Sequence, residues 1–315
     1  MELIGFLGCL AHRAYSKNSM KNITKIFCEI DDFCKVFIPH LKTKQLQNKT
    51  KKRNKPSNLS ESEVMTIMIL FHSSNYRNFK NFYTGFVSHY LQNYFPSLVS
   101  YNRFVELQQS VIIPMVAYLQ SLGKGEKTEL YFIDSTPIKV CDNKRINNHK
   151  VFKGIAQRGK SSMGWFFGFK LHLVVNDLGE IISFVLTPGN TDDRDIDVVS
   201  VLSKELSGKI FGDRGYISKE LFESLLTNGL KLVTKIRKNM KNKLMDLEDK
   251  ILLRKRSIIE TINDQLKNIS QIEHSRHRSP VNFFANLISG LIAYCFKERK
   301  PRINLNNFSH DLILA

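Results

Sequence analysis

Near Glu129 the chain changes its hydrophobic period, and that change limits the folds open to it. Upstream, apolar residues recur at helical spacing; downstream, short β-rich runs take over. The segments "ELYFIDSTPIKV", "FFGFKLHLVVND" and "GEIISFVLTPGN" read as three strands, with Asp177-Leu178-Gly179 as a hairpin turn between the last two. "DVVSVLSKELSG" reads as a helix stopping at Gly208, and "KIFGD" as a strand. "SKELFESLLTNG" reads as a helix with Ser218 as N-cap and Gly229 beyond its end. "LKLVTKIRK" is a further strand, and a charged stretch leads to a long helix from about Leu253. Three strands, then alternating helix and strand, predict an α/β (α+β) domain with a mixed sheet flanked by helices.

The first third is helical in pattern. Ile23, Ile26, Phe27, Ile30, Phe33 and Phe37 share one face, and Met20 is a possible start of this helix. A lysine-rich linker follows over residues 42–57, without acids or periodicity, and reads as flexible. Ser60 and Glu63 then form a Ser-x-x-Glu capping box, with Leu59 and Val64 placed as a hydrophobic staple. An aromatic-rich helix ends at Pro96, and another begins after Ser100, with Pro114 as a possible kink. Tyr101, Asn102 and Arg103 at a helix start suit a helix-turn-helix docked on DNA. A small bundle that only packs fits the same pattern.

The charge narrows the choice of partner. The 47 Lys+Arg against 29 Asp+Glu leave a net +18 over 315 residues, which suggests a polyanion such as nucleic acid. An anionic membrane fits less well, because apolar stretches such as Val64–Phe71 fall short of about 18 residues. The opening "MELIGFLGCLAHR" has no basic residue before its apolar part, so it does not read as a signal peptide and residues 1–19 read as a leader. Five scattered cysteines without a CxxC pair indicate reduced thiols and a cytosolic setting.

Three carboxylates stand where chemistry could use them. Asp134 ends an apolar run in "YFIDSTP"; Asp213 ends another in "IFGDRGY"; Glu260 lies on an amphipathic helix, "RKRSIIETINDQLKN". Each has an ordinary alternative: an Asp capping a turn, a strand-to-helix turn with an Asp–Arg pair, and an (i, i+4) pair of Glu260 with Arg256. Gly212 would admit a close backbone or phosphate, and Gly215 a turn of positive φ. On the helix, Ile258, Ile259, Ile262, Leu266 and Ile269 fill one arc, and Arg256, Glu260, Asn263, Asp264 and Lys267 the other. Two aspartates on adjacent strands and a glutamate on a helix can hold two Mg²⁺ ions about 4 Å apart for phosphoryl transfer. Arg214, Arg256 and Lys267 are candidate phosphate contacts.

Other residues compete for attention. Asp192, Asp193 and Asp195 read as helix capping more readily than as an acidic site, and Asp264 is the substitute ligand for Glu260. His274 and His277 lack partners at zinc spacing and read, with Arg276 and Arg278, as a basic DNA-facing loop. "HKVFKGIAQRGKSS" is a basic connection between strands, with Lys153, Arg158 and Lys160 placed to meet DNA. Trp165, the one tryptophan, reads as a core or strand residue before it reads as a ring that stacks on a base.

Taken together, "YFIDSTPIKV", "TPGNTDDR", "FGDRGY" and "SIIETINDQLK" resemble the DDE transposases of bacterial insertion sequences, in the group numbered nine-eight-two. "LSESEVMTIMILFHSSNYRNFKNFY" resembles the N-terminal part of that group, so the likeness covers roughly residues 22–303. The resemblance implies an RNase H-like catalytic domain over residues 123–303, a DNA-binding helical region over residues 20–122 and a tail over residues 304–315. It implies Asp134, Asp213 and Glu260 as the metal-binding triad for two Mg²⁺ ions, with Mn²⁺ as a substitute. It further implies double-stranded DNA partners (terminal inverted repeats and target), a synaptic homodimer, and work at the bacterial nucleoid. Arg256, Glu260 and Lys267 match the Arg, Glu and Lys of a Tyr-x2-Arg-x3-Glu-x6-Lys signature, while Leu253 replaces its Tyr. A nuclease that cuts without joining and an inactive DNA-binding protein are the alternatives.

Overall fold

The computed structural model describes residues 17–47, 57–235, 245–273 and 277–304. The chain divides into two compact units. One takes the chain up to Tyr118 together with Phe284–Phe296; the other takes Leu119–Phe283 and the chain from Lys297.

The first unit is helical: α1 (Lys17–Gln47), α2 (Glu61–Ser73), α3 (79–90), α4 (Tyr101–Ser110) and most of α5 (Ile112–Ser121). Helix α1 begins before Met20 and runs on through Lys42 and Lys44, so the start of the expected linker is helical. No helix breaker falls between Pro39 and Gln47 to stop it. Residues 48–56 and 1–16 lie outside the described residues. The capping box forms as the sequence requires, with both reciprocal bonds, and Leu59 and Val64 are buried. Helix α2 is buried from Val64 to His72, as a helix apolar on nearly all sides must be. It packs on α1, where Ser62 donates to Asp31 at 2.8 Å. A ring cluster of Phe71, Phe79, Phe82, Tyr83 and Phe104 fills the other side. Tyr101 stacks into this cluster rather than standing clear of it. The helix expected after Ser100 breaks at Val111, before Pro114, whose missing N–H leaves Ser110 without its intrahelical donor. Phe284–Phe296 joins this unit through a hydrogen bond at 2.9 Å between Ser289 and His72 and the stacking of Phe296 on Tyr118.

The second unit holds a six-stranded mixed sheet: β1 (Leu130–Cys141), β2 (Gln157–Ser161), β3 (Gly164–Asn176), β4 (Ile181–Pro188), β5 (Gly208–Gly212) and β6 (Leu230–Thr234). The order runs β4-β3-β1-β5-β6, with β2 pairing the first residues of β3 on the edge that β4 takes further along. Strand β3 is antiparallel to β1, β2 and β4, while β1, β5 and β6 are mutually parallel. This is the mixed sheet flanked by helices that the sequence predicts. The β3–β4 turn is made as expected, with Gly179 at φ +75 and its N–H donating to Asn176 O at 3.0 Å.

Helices α6 (Ile196–Leu202) and α7 (Lys219–Thr227) cover the face of the sheet that carries Tyr131, Ile133, Val174 and Ile210. Helix α6 ends before the expected Gly208, because the chain turns at Glu205, which has positive φ. Helices α8 (Leu247–Lys255) and α9 (Ser257–Asp264) follow β6; the helix expected from Leu253 starts earlier and breaks at Arg256. Helix α9 packs on β1 and continues into a π-helical turn over Gln265–Ile269. Helix α10 is Pro280–Cys295. Among the described residues no helix is long and apolar enough to cross a membrane, and Cys28, Cys34, Cys141 and Cys295 form no disulfide.

Candidate active site

Sheet register brings the two aspartates together. Strands β1 and β5 run parallel, with Phe132 opposite Phe211. Side chains alternate along a strand, so Asp134 and Asp213, each two residues on, share a face where β5 ends beside β1. Helix α9 lies over β1 on this side, and Asn263 donates to Asp134 Oδ2 at 3.0 Å. One turn back, Glu260 accepts from Arg256 Nη2, and Arg256 Nη1 stands 3.7 Å from Asp134 Oδ1. The interior of one strand, the residue after a neighbouring strand and one helix thus carry the three acids, with a guanidinium between two of them.

The electrostatics follow from that crowding. Burial pushes the Asp134 carboxyl up to about 7; Arg256 works against this, while the charges of Asp213 and Glu260 add to it. Tyr216 is buried, its hydroxyl has no hydrogen-bond partner, and burial with the nearby charges of Asp134, Asp193 and Asp213 raises it well above its ordinary value. Arg256 Nη1 is also buried without a hydrogen-bond partner, since 3.7 Å is too long for one. Asp213 is half-buried, and its Oδ1 accepts from Gly215 N at 2.8 Å, opening a 3-10 turn over Arg214–Tyr216. Arg214 is exposed beside it. Among the described residues no three His, Cys, Asp or Glu side chains are grouped closely enough to hold one metal ion. The reason is local: the glutamate is turned onto Arg256 and one aspartate oxygen onto the backbone.

Several expectations change at close range. Gly212 does not admit a backbone or a phosphate; a Cβ there would meet the Tyr216 ring at 3.1 Å and Ile133 at 3.3 Å, so it makes room for a tyrosine. Gly215 does not take positive φ, and its N–H serves Asp213 instead. The polar arc of α9 faces the acids rather than solvent at Asn263, which is buried. Ile269 is exposed, because the π-helical turn shifts the last residues off the apolar arc. Lys267 is half-buried and pairs with Glu273 at 3.4 Å; burial lowers its pKa. Asp264 is exposed and accepts from Asn268.

The acidic cluster after Gly189 divides three ways. Asp195 caps α6 by accepting from Val198 N, and Asp192 pairs with Arg194. Asp193 instead turns inward, where Ser135 donates to it at 2.7 Å and Lys170 at 3.0 Å. It therefore ties the residue after Asp134 to β3. Only its place in an acidic cluster that reads as helix capping was visible in the sequence. Asn263 was visible only as a polar helical position.

The remaining candidate contacts lie elsewhere. Lys153, Arg158 and Lys160 are exposed, and residues 157–161 form strand β2 rather than a plain connection. Arg103, in the first unit, pairs with Glu106 at 2.6 Å. Residues 274–276 of the expected basic loop lie outside the described residues, and the His277 ring rests against Phe283 at 5.4 Å. Trp165 lies on β3 and is exposed, not in the core.

Comparison with known proteins adds three findings. The family model described as "Transposase DDE domain" matches residues 124–280. Two solved structures resemble the chain. One is a piggyBac transposase synaptic complex with hairpin DNA, at 12% identity and TM-score 0.46, covering 91% of this chain and 73% of that one. The other is the Mos1 strand transfer complex, at 11% identity and TM-score 0.23, covering 81% of this chain and 82% of that one. No curated protein sequence matches the chain.

Proposed function

Through residues 124–280 the chain belongs to the transposases with a DDE domain, and on that premise we propose that it is the metal-dependent transposase of a bacterial insertion sequence, with Asp134, Asp213 and Glu260 as its catalytic triad. The observation that supports the site assignment is the approach of these three acids on one face of the sheet, where β5 ends beside β1, with Arg256 between two of them. The donor set fits a hard divalent cation, since carboxylate oxygens are what Mg²⁺ and Mn²⁺ prefer. Two such ions, when bound, would activate the attacking water or 3′-hydroxyl and stabilise the leaving oxygen.

The chain's own residues supply position and charge. Asn263 holds Asp134 by one oxygen and leaves Oδ1 facing Arg256 and the site. Glu260, exposed and paired with Arg256, can turn toward Asp134 when the guanidinium engages a phosphate. The unused Nη1 donor of Arg256 suits a phosphodiester oxygen, and exposed Arg214 sits beside Asp213 for the same purpose. Lys267, Lys153, Arg158, Lys160 and Arg103 are further candidate contacts to the backbones of the element's inverted repeats and of target DNA. Two copies would pair the two ends in a synaptic dimer at the nucleoid.

The test compares the parent chain with Asp213→Asn on labelled duplex ends with Mg²⁺ or Mn²⁺, scoring nicked and joined strands separately. We expect the substitution to cut both products by about 100-fold or more while DNA affinity without metal is kept. Cleavage unchanged in the variant would overturn the triad. Parent enzyme that nicks but never joins would replace the transposase reading with that of a nuclease.

A further inference from the structure

The β2–β3 hairpin carries features that the triad does not use. Its two strands pair Arg158 with Phe167, Gly159 with Phe166 and Lys160 with Trp165. Partners across a ladder project from the same face, so the hairpin has two unlike sides. One side is buried: Phe166 lies inward over Gly159, where a Cβ would come within 2.0 Å of Gly189 O. The other side presents Arg158, Lys160, Trp165 and half-buried Phe167.

Trp165 on that outward side is 57% exposed, and Met163 at the hairpin tip is 88% exposed. Lys160 Nζ lies 5.8 Å from the centre of the indole ring, and Asn143 Nδ2 donates to Trp165 O at 2.7 Å. The backbone of Trp165 is therefore held by the strand ladder and by Asn143, with the Lys160 cation beside the ring, rather than left on a loose loop. From Asn143 to Lys170 the chain carries seven Lys and Arg and no acid. A large aromatic ring held in water within an all-cationic segment is complementary to a polyanion that offers flat apolar rings.

We propose that the outward face of this hairpin is a stacking platform for an unpaired base of a DNA strand. Trp165 supplies the ring, and Arg158 and Lys160 supply contacts to the flanking phosphates. Bases inside a duplex are already stacked on one another, so away from its ends a duplex offers an indole no free base face, whereas a nucleotide that has left the helix does. Within the transposase reading, on which this inference rests, such nucleotides arise where a duplex end is opened for cutting.

Trp165 is the one tryptophan in the chain, so its emission reports on this face alone. The full chain, without divalent metal, would be titrated with an oligothymidylate of about 12 nucleotides and with a blunt duplex of equal length. The single strand should quench the emission to saturation and the duplex should leave most of it. By anisotropy of labelled oligonucleotides, Trp165→Ala should weaken single-strand binding by about tenfold. Trp165→Phe should recover most of that loss, and duplex affinity should change by less than about twofold. Equal quenching by both probes, no change of emission on single-strand binding, or an equal loss of both affinities in Trp165→Ala would each overturn the proposal. The catalytic reading is judged separately, because Asp213→Asn tests it through cleavage and leaves this face untouched.

Discussion

His172 sits wholly inside β3 and shows how one buried side chain sets a condition on the whole fold. Its Nε2 meets the Thr187 hydroxyl at 2.9 Å, and Nδ1 has no hydrogen-bond partner. Burial lowers its pKa to about 4; the charges of Asp193 and Asp195 work against that, and Lys170 adds to it. The folded imidazole thus stays neutral where an unfolded one, at about 6.5, already takes a proton. The unfolded state binds more protons in this window, so stability falls as pH drops from about 6.5 to about 4, by roughly 3 kcal/mol. His172→Gln should remove that slope; urea midpoints at both ends of the window check it, and an identical slope in the variant would refute the assignment. At this scale the sequence is informative about Asp134, Asp213 and Glu260, because an acid at the end of an apolar run, or opposite an isoleucine arc, stands out locally. It is silent about Asp193 and Asn263. Their importance comes from partners 58 and 129 residues away, Ser135 and Asp134, and no local pattern encodes such a pairing.

Between elements, α8 is fixed to the sheet by charge rather than by its apolar side alone. Asp249 is buried and accepts from Lys209 of β5 at 2.7 Å and from Lys231 of β6 at 2.9 Å. Burial alone would raise its carboxyl, but the hydrogen bonds of the two lysines outweigh this and hold it below its ordinary value. Removing one partner of such a cluster strands the others. Both lysines keep contact with solvent, so the cost of Asp249→Ala is moderated to about 2 kcal/mol. That contribution is fully present above about pH 4 and is lost as pH falls through the depressed carboxyl value. Thermal unfolding at pH 7 and below pH 4 reads both effects, and a variant that melts with the parent at pH 7 would rule the anchor out. Strands were legible as elements, since β1, β3 and β4 keep long apolar runs and their turn carries a glycine where positive φ is needed. The anchor was not legible, because "DLEDK" looks like any solvated helix start until two strands bring lysines to it. Strand β2 was missed for a related reason: "QRGKS" has no β-rich pattern, and it is a strand only because β3 offers it an edge.

At the scale of the whole chain, the net +18 is a statement about partners more than about fold. Much of the positive charge is local: Lys144, Arg145, Lys150, Lys153, Arg158 and Lys160 fall in one stretch with no acid among them. Arg158 and Lys160 share the outward face of the β2–β3 hairpin, where no acidic side chain stands across the ladder from them. Each phosphate these cations neutralise releases condensed counterions, so log affinity for duplex DNA should fall with log salt by about 0.9 per contact. Six to ten such contacts would lose about 10³- to 10⁵-fold in affinity between about 50 and 200 mM salt. For a single strand the increment is about 0.7 per contact. Replacing Arg158 and Lys160 by alanine together should therefore reduce the single-strand slope by about 1.4. The matching control is Lys25→Ala with Lys35→Ala on α1, where both lysines already pair with acids on the same helix. Slopes measured by anisotropy over a salt series decide the matter. A slope that responds equally to both pairs would mean that the positive charge acts as a diffuse field, and that the hairpin is no contact at all.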